Sequence, residues 1–247
     1  MHEVVLPGGD ASGSVVRVAS TIRKAWTPAT PSVHAFMVAL GNAGVDVPEP
    51  LGRDDRGRQI LELVPGRLAH EAAPLTRSEL HRVGAMVRQI HDASQLCEPS
   101  AAMRWEVAIA APGDELICHN DLAPWNLVIG DRWVFIDWDG AGPSTRLWDL
   151  AYAAQSFTLN DVTQPPEVAA PRLAAFADGY RADRDLREGL PSAMTTRVAA
   201  MHDLLEASHR TGTQPWGAMF ADGHGEQWGA VRDYVERHEA SWAAALS

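Results

Sequence analysis

The chain has 247 residues, 46% hydrophobic and 21% charged, an ordinary globular balance that suffices for one large domain or two lobes on a shared core and excludes wholesale disorder. Its formal net charge of −11 argues against nucleic acid as the main partner, since phosphate binding needs a basic surface; it suits plain solubility, and equally a cationic small substrate. Two cysteines, Cys97 and Cys118, with no CxxC, an acidic N-terminus MHEVVLPGGD and no run of the roughly 18–20 apolar residues that a span needs predict a cytoplasmic chain away from membranes.

The first segment, VVLPGGDASGSVVRVASTIRKAW, reads as strands broken by turns at PGG and SG, with Ala19-Ser20 as a tight connection. Pro31-Ser32 opens a helix over SVHAFMVALGNAG that closes at Gly41 and Gly44. RDDRGRQILELV reads as a hairpin around Asp55 to Gly57, ended by Pro65-Gly66, where a lobe boundary is expected: residues 1–65 before it and 66–247 after it. From Ser78, SELHRVGAMVRQIHDA sets Leu80, Val83, Met86, Val87 and Ile90 on one helical face. Glu115 begins a strand-like ELIC, a loop HNDLAPWN, and a hairpin LVI-GDR-WVFID turning at Gly130-Asp131. Beyond Trp148 the pattern is almost all helix: WDLAYAAQSF, PEVAAPRLAAFADGYRAD, SAMTTRVAAMHDLLEASHR and EQWGAVRDYVERHEASWAAAL. A small strand-rich lobe followed by a larger helical one is an α+β layout, with a polar cluster just after the junction.

That cluster carries the chemistry. A hairpin brings its ends together, so Asn126 before one strand and Asp137 after the other are expected side by side. An amide oxygen beside a carboxylate is a hard-oxygen site suited to Mg²⁺. Asp121, in the same loop, is then free to act as a base, which is the division of labour that phosphoryl transfer requires. His81, His91, His202, His209, His224 and His238 show no paired ligand spacing and read as surface or packing residues. Trp105, Trp133, Trp138 and Trp148 read as core; Trp125 reads as loop packing that could also line an acceptor site. No GxSxG supports nucleophilic hydrolysis, and Cys118 reads as a small buried residue.

HNDLAPWN fits the kinase catalytic-loop pattern HxDxxxxN, and FIDWD stands where protein kinases carry DFG. Together with VVRV, a helix containing VHA, the hinge-like ELVPG and a late WDLAYA, these resemble the aminoglycoside phosphotransferase and small-molecule kinase family over nearly the whole chain. The resemblance implies a two-lobed protein-kinase-like fold, Asp121 as catalytic base, and Asn126 and Asp137 as metal ligands. It also implies His119 bracing the loop, and Asp149 in LWDLA supporting it from the next helix. PGGDASGS, with Gly9 and Ser12, takes the place of the phosphate-covering loop, although it is not GxGxxG.

Lys24 is expected to contact phosphate, with Arg23 the alternative, since neighbours on a strand face opposite ways. The stretch from Glu62 to Val64 is expected to hold the nucleotide base. The helix with VHA lacks the glutamate that usually pairs with the strand lysine, leaving His34 as the polar residue there. Asn120 replaces the arginine that reads a phosphorylated activation loop in many protein kinases, and eleven residues separate Asp137 from Asp149 with no APE motif, so a small-molecule acceptor is expected. The implied activity is transfer of the γ-phosphate of ATP or GTP, with Mg²⁺, to a hydroxyl of an aminoglycoside-like, amino-sugar or amino-alcohol acceptor, a class that includes antibiotic resistance. The alternative is a kinase-like binding or immunity protein that sequesters an antibiotic or peptide.

Overall fold

The computed structural model describes residues 2–6, 15–72, 74–97 and 102–247. Gly9 and Ser12 lie outside them. Five short strands form an antiparallel sheet: β1 (Glu3–Val5), β2 (Val16–Val18), β3 (Thr21–Lys24), β4 (Pro50–Arg53) and β5 (Gln59–Glu62), in the order β1-β2-β3-β5-β4. The β2–β3 turn is tight because Ala19 takes a left-handed φ of 54° and the Thr21 hydroxyl donates to the Val18 carbonyl at 2.7 Å. In the β3–β5 register Lys24 stands opposite Gln59 and Arg23 opposite Ile60. The two basic neighbours therefore leave the sheet on opposite faces.

Helix α1 (Thr30–Asn42) connects β3 to β4 and buries Val33, Phe36, Met37 and Leu40. Phe36 meets Trp105 and Trp138 edge-on, at ring-centroid distances of 6.2 and 5.9 Å. Trp138 follows Asp137 directly, so this aromatic contact ties the strand-rich part to the segment carrying the site. α1 belongs to the same apolar core as the later helices.

Two small antiparallel sheets carry the polar loop. β6 (Arg67–Leu68) pairs with β8 (Leu127–Ile129), which forms a hairpin with β9 (Trp133–Phe135), and β7 (Leu116–Cys118) pairs with β10 (Gly142–Ser144). Around them stand α2 (Arg77–Ser94), α3 (Arg146–Thr158), α4 (Pro166–Tyr180), α5 (Arg184–Thr211), the single turn α6 (Trp216–Met219), α7 (Gly225–Arg237) and α8 (Glu239–Leu246). A Thr76/Glu79 capping box starts α2, whose Leu80, Val83, Val87 and Ile90 are buried as their spacing predicts. Met86 only packs at the margin of this core.

α2 and α4 cross at glycines. A Cβ on Gly179 would stand 1.9 Å from the His81 carbonyl oxygen, and one on Gly84 would stand 2.1 Å from that of Phe176. Two expected helices are corrected. α5 starts at Arg184, capped by Asp183, and runs through Pro191, so the proline does not mark its beginning. The final helical stretch is broken at His238 into α7 and α8. Among the described residues no helix is long and apolar enough to cross a membrane.

Candidate active site

The catalytic-loop pattern lies between β7 and β8. Leu122, Ala123 and Leu127 are fully buried and fasten the loop to the core, with His119 and Asn126 buried beside them and Asp121 partly exposed. Asn120 adopts a left-handed φ of 64°. That turn is held by its side-chain amide, which donates to the carbonyls of Gly140 and Gly142, and by its backbone N–H, which donates to Asp149 Oδ1 at 2.8 Å. Asp149, buried on α3, thus bonds the loop backbone, and its other oxygen lies 2.9 Å from His91 Nε2. His91 is fully buried and makes its second contact, 2.8 Å, with the Tyr180 hydroxyl. His119 is buried against Trp138, with Nε2 3.1 Å from the Ile136 carbonyl, and its Nδ1 accepts the Asp121 N–H.

Asp121 receives two hydrogen bonds on its carboxylate: from Asn126 Nδ2 to Oδ2 at 2.8 Å, and from the Tyr152 hydroxyl to Oδ1 at 2.7 Å. Burial raises its pKa above the ordinary aspartate value, against the opposing pull of those two donors and of His119. Burial, reinforced by the Asp121 charge, pushes the Tyr152 phenol well above its usual range, so it stays a donor.

Asn126 also donates to the Asp121 carbonyl at 3.0 Å, which commits its NH₂ and turns the amide oxygen outward. Across the hairpin the Ile136 N–H donates to the Asn126 carbonyl at 2.8 Å, setting Asp137 beside Asn126. Asp137 is left-handed, with φ 63°, and aims its carboxylate at Lys24. An outward amide oxygen next to a carboxylate is a donor set that fits a hard divalent cation such as Mg²⁺.

Lys24 is 5% exposed and bonded to Asp137, with Asp139 Oδ2 at 2.5 Å. Burial pulls its pKa down, but the two carboxylates more than offset it, so the ammonium is held above its usual value. Arg23 stays outside this cluster, donating to the Thr21 hydroxyl and lying 3.5 Å from Asp54. The missing helix glutamate has a physical counterpart. Gln59 donates to Asp139 Oδ1 at 3.1 Å and meets His34 Nε2 at 3.1 Å. A carboxylate from the DWD segment, braced by an amide and a helix histidine, occupies the partnership with Lys24.

At the end of β5, the Glu62 carboxylate is taken up by Arg132 and by the Glu49 N–H, while its own N–H donates to the Glu49 carbonyl at 2.9 Å and that of Leu63 to the Ser20 carbonyl at 3.1 Å. The Val64 side chain is buried against Val128 and Val134. Its backbone N–H bonds no backbone carbonyl among the described residues. Trp125 is half-buried and meets Trp228 edge-on at 6.5 Å. Asp203, Glu206, Asp222 and Glu226 lie on exposed helical surface.

The structure thus gathers Asp121, Asn126, Asp137, Lys24, His119 and Asp149 and leaves Arg23 apart. Sequence reasoning overlooked Asp139, Gln59, Tyr152 and Arg197. Asp139 was open to view, two residues after Asp137. Tyr152 lies one turn beyond Trp148 in WDLAYA. Gln59 and Arg197 carry no local signal, since each reaches the site from a distant element.

The family model described as "Phosphotransferase enzyme family" matches residues 101–188, which contain the HNDLAPWN loop, the β8–β9 hairpin and α3. The trifolitoxin immunity protein of Rhizobium leguminosarum bv. trifolii is 27% identical over 232 residues, 86% of either chain. An amicoumacin kinase in complex with AMP-PNP, Ca²⁺ and its ligand superposes with a TM-score of 0.72 at 14% identity, covering 95% of this chain and 88% of that one. A microcompartment-associated aminopropanol kinase gives 0.66 at 15% identity (100% and 94%), and a spectinomycin phosphotransferase bound to ADP and spectinomycin gives 0.64 at 13% identity (98% and 93%). At such identities the solved structures establish the fold: α+β, two-lobed and protein-kinase-like.

Proposed function

We propose that this chain is a small-molecule kinase that transfers the γ-phosphate of ATP or GTP to a hydroxyl group. The observation that carries the reading is the convergence of Asp121, Asn126, Asp137 and Lys24 on one cleft: a base, two hard-oxygen ligands and a buried cation. A pure binding site has no need of all four. Nucleotide lies between residues 1–65 and 66–247, its base against the backbone of Glu62 to Val64 and its phosphates near Lys24 and the Gly9–Ser12 segment.

Asn126 and Asp137 would hold Mg²⁺, which when bound neutralises phosphate charge and fixes the terminal phosphoryl group for in-line displacement. Asp121 accepts the acceptor's hydroxyl proton. Its pKa, raised by burial, makes it a better base than a free aspartate. Tyr152 and Asn126 keep one lone pair on each of its oxygens occupied, which leaves the others for the substrate. Lys24 balances phosphate charge. Orientation and electrostatics supply most of the rate.

The acceptor class is small, hydroxyl-bearing and compatible with an acidic protein: an aminoglycoside, an amino sugar or an amino alcohol. The amicoumacin, aminopropanol and spectinomycin enzymes of the same fold are consistent with that range. One observation favours a second reading. The similarity to an immunity protein along most of its length favours the alternative of an immunity protein that sequesters an antibiotic or peptide without transfer. Mass spectrometry of a panel containing aminoglycosides, amino alcohols and hydroxyl-bearing peptide antibiotics, incubated with Mg²⁺ and ATP or GTP, separates the two. Phosphorylated product is expected, and Asp121→Asn is expected to lower its rate by roughly 10²- to 10⁴-fold. Tight binding of a panel member without product would favour sequestration.

A further inference from the structure

Tyr152 and Arg197 meet behind Asp121. Tyr152 on α3 is 4% exposed and directs its hydroxyl to Asp121 Oδ1 at 2.7 Å. The Arg197 guanidinium, from α5, lies 4.3 Å from the centre of the Tyr152 ring and 5.6 Å from that of Trp148. Its Nη2 reaches towards the Asn120 carbonyl at 3.5 Å. Arg197 is 5% exposed, and among the described residues its Nη1 has no hydrogen-bond partner. Among the described residues no carboxylate is paired with it directly, and Asp121 and Asp149 act on it through space.

A buried guanidinium without a paired carboxylate is expensive, because it leaves water without recovering the full Coulombic attraction. Neighbouring Met194, Val198 and Met201 show that this face of α5 is otherwise apolar and buried. A methionine at 197 would fill similar space at lower cost. Stability therefore does not explain the residue, whereas its contacts do. A cation over a phenol ring is attracted by the ring's π-face and makes the O–H a stronger donor. The catalytic loop is also gripped from two sides just before Asp121: Asp149 takes the Asn120 N–H, and Arg197 approaches the Asn120 carbonyl.

Building on the phosphotransfer reading, we infer that Tyr152 and Arg197 are positioning residues for Asp121. The phenol fixes Oδ1, and the guanidinium fixes the phenol and the strained Asn120 backbone, so the remaining carboxylate lone pairs keep one direction towards the acceptor hydroxyl. Trp228 also packs on Tyr152, with centroids 6.3 Å apart and planes 14° from parallel.

The test uses the full chain with Tyr152→Phe, Arg197→Met and Arg197→Lys, alone and with Asp121→Asn. Thermal melting and steady-state phosphate release from Mg²⁺-nucleotide are measured, with water or an identified hydroxyl compound as acceptor. Tyr152→Phe and Arg197→Met are each expected to lower kcat about 10- to 100-fold, the range for a lost hydrogen bond to a charged group, with the nucleotide KM within about twofold. Arg197→Met should melt at or above the wild-type midpoint, because an apolar replacement removes an unpaired buried charge. Arg197→Lys should recover part of kcat. In the Asp121→Asn background, Tyr152→Phe should cost almost nothing more, since the group it positions is already lost.

A lowered midpoint for Arg197→Met with unchanged kcat would make Arg197 a packing residue and overturn the inference. So would a Tyr152→Phe loss that multiplies with that of Asp121→Asn. Wild-type protein that neither melts higher with Mg²⁺-nucleotide nor releases phosphate would overturn the phosphotransfer reading, and this inference with it. Wild-type turnover that survives both single substitutions would overturn this inference alone.

Discussion

Replacing Asp139 by asparagine removes one charge from the Lys24 cluster while keeping its shape. The amide oxygen can still accept from Gln59, so the brace through His34 survives. At an effective dielectric of about 20, unit charges 2.5 Å apart interact by about 7 kcal/mol. Desolvation of the ammonium and the 30% exposure of the Asp139 side chain take back most of that. What remains is the about 1.5–3 kcal/mol typical of a hydrogen bond to a charged group. In the free protein Asp137 also holds Lys24, so the stability loss falls near or below the lower end, about 1 kcal/mol or 2–4 °C for a chain of this size. On the proposed function, Asp137 would turn to the metal when nucleotide binds, and Asp139 would be the carboxylate left on Lys24. There the loss approaches the upper end, about 10- to 100-fold in nucleotide affinity. Calorimetric titration with Mg²⁺-nucleotide, alongside thermal melts, measures both quantities. Affinity within twofold of wild type would refute the assignment of Asp139 as the substitute for a helix glutamate, as would a stability loss larger than the affinity loss.

Further consequences are independent of substrate. The three tyrosines, Tyr152, Tyr180 and Tyr234, are all shifted upward by burial, Tyr180 to about 12. Because the folded values exceed the unfolded one near 10, their contribution to stability is full below about pH 10 and is lost as pH rises through the folded values. Ultraviolet titration should therefore show less phenolate at pH 10 than three free tyrosines would give, with a steep rise on alkaline unfolding; ionisation of all three near pH 10 would contradict this burial. Gly179→Ala forces a methyl to 1.9 Å from the His81 carbonyl, and with backbone on both sides α2 and α4 must separate. A loss of about 3 kcal/mol or more is expected, lowering the melting midpoint by at least about 6 °C, and a change under 2 °C would show that the helices adapt freely.

Much of the site was legible because its residues are close in sequence. HNDLAPWN and FIDWD flank a single hairpin, and hairpin geometry alone sets Asn126 beside Asp137. The choice of Lys24 over Arg23 followed from strand alternation once the neighbouring strands were aligned. The Lys24 partner was not legible from α1, where the family pattern places a glutamate; it comes from Asp139, which can substitute because α1 is pinned by Phe36 to Trp138 in that same segment. Arg197 was hidden for a different reason. It lies 77 residues from Asn120 on a helix whose other buried positions are mostly apolar, so neither periodicity nor spacing marks it. His91 read as a packing residue because a single histidine on an amphipathic helix usually is one, and only the fold brings Asp149 and Tyr180 to its two nitrogens. The helical reading that began at SAMTT missed the first two turns of α5, which start at Arg184 under an Asp183 cap and carry Pro191 in the helix interior.

The central claim is that Asn126 and Asp137 form a Mg²⁺-dependent nucleotide site beneath Lys24. The thermal midpoint of wild type and Asp137→Ala, each with ATP or GTP and with or without Mg²⁺, tests it most directly, because a ligand that binds only the folded state must raise the midpoint. A rise in wild type that requires Mg²⁺ and disappears in Asp137→Ala is the predicted result. No rise with either nucleotide, or an equal rise in the variant, would contradict the account.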